Sequence, residues 1–73
     1  MEHFDLPANV GRNLKKLFAK EGKTYADVAE LLNCDERTVG RWIQNGLDKV
    51  STIAYIAKVF GVKAEDIIFS EED

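Results

Sequence analysis

Residues 24–46, TYADVAELLNCDERTVGRWIQNG, decide the fold. Thr24 followed by Asp27 has the spacing of a capping box and opens a helix, and Val28, Leu31 and Leu32, with small Ala29, supply its buried stripe. Asn33, the non-glycine residue that best tolerates positive φ, ends it. Asp35 is placed to cap a second helix, about Asp35 to Gln44, by accepting from an orphan N–H. In that helix Val39, Trp42 and Ile43 face inward, while Glu36, Arg37, Gly40, Arg41 and Gln44 face outward. Asn45-Gly46 is a stop signal. With only the Asn33-Cys34-Asp35 turn between them, the helices must pack at a steep angle, so Thr24 to Asn45 reads as a helix-turn-helix.

Working outward, Asn9 can cap a preceding helix of about Asn9 to Glu21, with Val10, Leu14, Leu17 and Phe18 at helical spacing and Gly22 as its stop. Its outer surface carries Arg12, Lys15, Lys16 and Lys20, followed by Lys23 in the turn. On the other side, Asp48 is the expected N-cap of a fourth helix whose apolar face is Val50, Ile53, Ala54, Ile56, Ala57 and Phe60, closed by Gly61. A short final helix, about Ala64 to Phe69, carries Ile67, Ile68 and Phe69 but has Lys63 where a capping Ser or Asp would stand. There is no internal repeat, linker or useful β-alternation, so the class is all-α, a compact five-helix bundle. The expected layout is an N-terminal segment, residues 1–8, expected to be mobile, a domain of residues 9–69, and an acidic tail, residues 70–73.

At 73 residues, most of the apolar side chains must share one core, and little remains to build a catalytic cleft. A lone cysteine, Cys34, expected as a buried turn residue, cannot form an internal disulfide, and with His3 as the single histidine no four-ligand zinc spacing exists. No Ser/His/Asp or Cys/His set, phosphate-cradling glycine loop or confined carboxylate pair is present, so an enzyme is not expected, nor a cofactor, metal or small-molecule ligand. The apolar runs are short and MEHFDLPANV lacks the order of a secretory signal, so a cytoplasmic chain without membrane insertion is expected. The net charge of −3 hides an uneven distribution: residues 9–63 hold six of the 13 acids and all 10 Lys and Arg, a local net of +4.

The stretch TYADVAELLNCDERTVGRWIQNG, continued by STIAYIAKVFGVKAEDIIF, resembles the Cro/phage-repressor (XRE-like) helix-turn-helix family over about residues 9–69; RTVGRWIQNG alone would also suit excisionase-like and other winged or homeodomain-like modules, and the following IAKVFGV tips the choice. The resemblance implies a lambda-repressor-like fold and a transcriptional regulator that binds double-stranded DNA sequence-specifically, with the second helix of the motif in the major groove and the first across the phosphates. By position, Glu36, Arg37 and Arg41 become base-reading candidates: either arginine could donate bidentately to guanine, and Glu36 could accept from cytosine N4, each such pair discriminating by about 1–3 kcal/mol. Thr24, Tyr25 and Gln44 match phosphate-touching positions, joined by Arg12 and Lys16 if the duplex passes the first helix. Family habit also implies a homodimer, consistent with the apolar Ile67, Ile68 and Phe69 near the end.

Each of these residues has a plainer reading. Arg12, Lys16, Arg37 and Arg41 could be solvated surface, Glu36 an ordinary first-turn acid, and Gly40 either a point of close backbone approach or a tolerated glycine. Trp42 belongs in the core by its spacing with Val39 and Ile43. The sequence also departs from the family pattern, with Tyr25 where glutamine is common, Asp48-Lys49 where Pro-Ser often precedes the fourth helix, and acids at Asp35 and Glu36. These departures keep open a second class of function, a protein-interaction module of antirepressor, antitoxin-like or adaptor type.

Overall fold

The computed structural model describes residues 6–69. The expected acidic tail, His3 and the first five residues of the expected N-terminal segment lie outside the described residues. Five α-helices follow one another, α1 (Leu6–Lys20), α2 (Tyr25–Leu32), α3 (Glu36–Asn45), α4 (Val50–Phe60) and α5 (Ala64–Phe69), with no strand among the described residues.

The first helix begins at Leu6 rather than about Asn9, because Pro7 falls in its first turn, where a missing N–H removes no helical hydrogen bond. Three helices end alike. Asn33 (φ 58°), Gly22 (φ 68°) and Gly61 (φ 69°) are left-handed, and the next residue reaches back over the last turn: Lys23 N to Phe18 O, Cys34 N to Ala29 O and Val62 N to Ala57 O, each 2.9 Å. These bonds satisfy carbonyls that the helix ends would otherwise leave open.

The N-termini differ. Thr24 and Asp27 form the reciprocal capping box expected, with Asp27 N donating to Thr24 Oγ1 at 3.1 Å and Thr24 N to Asp27 Oδ2 at 3.0 Å. Asp35 is the N-cap of α3, but its side chain makes no cap hydrogen bond, so the expected use of its carboxylate is corrected; Thr38 N donates to its backbone carbonyl at 3.0 Å. Lys49, not Asp48, is the N-cap of α4, again without a side-chain bond, which leaves Asp48 one residue outside the turn. In α5 the missing cap is supplied from within, Lys63 N donating to Asp66 Oδ2 at 3.3 Å.

Helix α1 packs on α3 along one flank and on α5 along the other; α2 packs on α3 and α4, and α4 on α5. The core joins Val10, Leu14 and Phe18 of α1 to Val28, Ala29 and Leu32 of α2, Val39 of α3, Leu47 of the following loop, Ile53, Ile56 and Ala57 of α4 and Ile67 of α5. Phe18 meets Phe60 with ring centroids 5.5 Å apart. Trp42 is half-buried against this cluster, as its spacing predicts. Leu31 does not join the stripe expected of it and is 46% exposed; Cys34, expected inside, is exposed at the turn. Leu31 is one residue off the Val28–Leu32 repeat that faces the core, and Cys34 lies outside both helices.

Two close backbone approaches fix α1 against α3. A Cβ on Gly11 would lie 2.9 Å from the Trp42 carbonyl oxygen and 3.2 Å from that of Ile43. Beyond α3, Leu47 N donates to Pro7 O at 3.2 Å, and Gly46, at φ 92°, has no room for a side chain because its Cβ would lie 2.5 Å from the same oxygen. On the opposite flank the buried Asn13 amide donates to the carbonyl of Ile67 and ties α1 to α5.

Candidate nucleic-acid interface

Only Val39 of α3 is fully buried, with Trp42 and Ile43 half-buried beside it. Their helical spacing leaves Glu36, Arg37, Arg41 and Gln44 exposed along one outward face. The N-terminus of α2 lies beside this face. Tyr25, Asp35, Glu36 and Arg37 line one shallow recess of about 410 Å³, so the turn brings a phenol, two carboxylates and a guanidinium together.

Tyr25 is half-buried and its ring leans on α3 at Gly40, where a Cβ would lie 3.8 Å from Tyr25 Cδ2. The glycine thus faces the ring across an ordinary van der Waals gap. Thr24 is exposed, and its hydroxyl oxygen accepts from the backbone N–H of Asp27. The Thr24 hydrogen bonds, that from its backbone N–H first, hold the Asp27 carboxyl below its ordinary value, with Lys23 adding a smaller effect in the same direction. Asp27 is therefore charged at neutral pH and places another anion at the start of α2.

The turn thiol behaves oppositely. Desolvation, and secondarily the charge of Asp35, push the Cys34 pKa up, away from the thiolate that nucleophilic or redox chemistry needs. No group of three or more His, Cys, Asp or Glu side chains suited to a metal occurs among the described residues.

Lys16 and Lys20 of α1 line a different part of the surface. Arg12 is exposed and donates to the Asn9 side-chain oxygen of its own helix. Lys16 lines, with Asn13, Leu17 and Lys20, one wall of a groove of about 680 Å³ whose other wall is Val62, Glu65, Asp66, Ile67 and Phe69. It therefore flanks α5 and does not share the recess of Tyr25, Glu36 and Arg37. Sequence reasoning missed Gly11, Asn13 and Asp66. A glycine inside a helical pattern was the available signal for the first, and an acid three residues after Lys63 for the last.

Residues 14–51 match the homeodomain-like domain family, a span from the middle of α1 through α2 and α3 to the first turn of α4. The crystal structure of a hypothetical transcription factor, NHTF, from Neisseria superposes on the chain with a TM-score of 0.81 at 21% identity, covering 89% of this chain and 76% of that one. No curated protein matches the chain in sequence. No helix among the described residues is long and apolar enough to cross a membrane.

Proposed function

Because the chain belongs to the homeodomain-like helix-turn-helix family, we propose that it is a transcriptional regulator that binds double-stranded DNA sequence-specifically through the outward face of α3. The observation that carries this reading is the division of α3 into a core side, Val39 with Trp42 and Ile43, and an exposed side that presents Glu36, Arg37, Arg41 and Gln44 together. A helix held in this way can enter a major groove with its free side toward the base edges.

In this reading Arg37 and Arg41 donate to guanine O6 and N7, and Glu36 accepts from cytosine N4. Thr24, Tyr25 and Gln44 meet phosphate oxygens beside the backbone N–H groups that open α2. Arg12 and Lys16 of α1 add phosphate contacts where the duplex passes that helix. One such module reads few base pairs, so paired half-sites bound by a homodimer in the cytoplasm complete the proposal. The order of five helices, with IAKVFGV crossing from α4 into the turn, supports a relationship to the Cro/phage-repressor group within this architecture.

A second reading rests on a specific observation. Asp35 and Glu36 line the recess, Asp27 stands charged at the start of α2, and Lys16 lies away on the α5 side. That distribution favours a protein-interaction module, whose partner would present a basic side chain to the recess. Titrating duplex DNA as a function of salt separates the two. The DNA reading expects log K to fall with log salt by about 0.9 per phosphate neutralised. It also expects Arg41→Ala to weaken the preferred site by about 1–3 kcal/mol. A wild-type chain that ignores random and selected duplexes at low salt refutes it.

A further inference from the structure

Of the glycines inside helices, Gly11 has a structural reason and Gly40 has none within the fold. At Gly11 a side chain would strike backbone carbonyls, at 2.9 and 3.2 Å. At Gly40 the backbone has no positive φ, and an added Cβ would meet only Tyr25, at 3.8 and 4.0 Å, an ordinary contact. The fold would accept alanine there, and a helix interior favours it. The space has a definite setting. Glu36, Arg37 and Gln44 precede and follow Gly40 at helical spacing and Arg41 adjoins it, all four exposed, while the Tyr25 ring forms one wall.

We propose that Gly40 is a specificity-determining position that seats the 5-methyl group of a thymine on the partly exposed α3 backbone beside the ring of Tyr25. This inference rests on the DNA-binding reading above and deepens it by naming the base. A thymine methyl is the one apolar feature of the major-groove edge, and contact with apolar protein surface is how it is read. The gap beside Gly40 has a helix backbone as its floor and an aromatic ring as its wall, and it opens on the face that carries Arg37 and Arg41. The guanidinium groups address polar base edges and the gap distinguishes thymine from bases that carry no methyl.

The test uses the full chain and a duplex selected by it from a random pool, in which each thymine is replaced singly by deoxyuridine, a loss of the methyl alone. For the wild type, one replacement in a half-site weakens binding about fourfold, the effect of losing one buried methyl group. Gly40→Ala, whose Cβ takes the space, binds the thymine and deoxyuridine duplexes equally at that position while unfolding no more easily than the wild type. Tyr25→Phe keeps the ring and therefore the fourfold ratio, even where loss of the hydroxyl lowers affinity for both duplexes. If every thymine can be replaced without effect, or if Gly40→Ala retains the ratio, this inference is overturned and DNA binding stands. If the wild type binds no duplex, the DNA-binding reading itself falls.

Discussion

Replacing Gly11 and Gly40 separately by alanine makes one chemical change at two helix-interior positions and is expected to move stability in opposite directions. Relieved of glycine, either helix gains about 1 kcal/mol of intrinsic preference. At Gly11 the new Cβ would lie 2.9 Å from the Trp42 carbonyl oxygen, and that oxygen already accepts from Gly46 N at 2.9 Å. It cannot swing aside without straining the bond that closes α3. Overpacking against such a neighbour costs about 1–3 kcal/mol, and weakening the helix-closing bond adds about 1 kcal/mol. The net for Gly11→Ala is a loss of about 1–3 kcal/mol, or roughly 4–8 °C in Tm per kcal/mol for a domain of this size. At Gly40 the nearest atom to the new Cβ is 3.8 Å away, so the helix preference is realised and Tm rises. Thermal unfolding followed by circular dichroism, with denaturant titration at fixed temperature, reads both. Equal stabilisation by the two substitutions would refute the close α1–α3 crossing, and destabilisation by Gly40→Ala would refute the unstrained contact with Tyr25.

Other expectations follow from single contacts. The hydrogen bonds from Thr24 hold the Asp27 carboxyl below its ordinary value, so its stabilising contribution is present above the unfolded-state pKa and is lost as pH falls through the folded one. The acid limb of a Tm-against-pH curve should therefore be shallower for Asp27→Asn than for the wild type, and coincident limbs would contradict the capping box. Asn13→Ala leaves the buried Ile67 carbonyl without its donor, at a cost of about 1–3 kcal/mol. Hydrogen exchange should then quicken first in α5, whereas uniform acceleration would indicate that Asn13 ties nothing specific.

What the sequence disclosed and what it withheld divide by the range of the interaction. Thr24, Asn33, Gly22 and Gly61 act within a turn of their own positions, and their chemistry marks helix limits without reference to the rest of the chain. The inward face of α3 was equally legible, because Val39, Trp42 and Ile43 recur at the helical period. Periodicity leaves Leu31 at the edge of the Val28–Leu32 stripe and says nothing of Cys34, which lies outside both helices, so neither is buried as expected. Nor can it foresee backbone meeting backbone: Gly11 against Trp42, and Gly46 against Pro7, are contacts between segments remote in sequence. The outward residues of the candidate site were readable as a face. The division of the cations was not, because the placement of Lys16 beside α5 depends on how α1 is rotated in the bundle.

The anchoring of α3 at its back and at both ends has a practical consequence. The turn at Asn33 fixes where it starts, the carbonyl of Pro7 fixes the loop at Gly46 where it stops, and Val39 holds its middle. Glu36, Arg37, Arg41 and Gln44 contribute to none of these anchors. A library that randomises those four side chains should thus return mostly folded members. Recognition in this chain can be rewritten as a text separate from the frame that carries it.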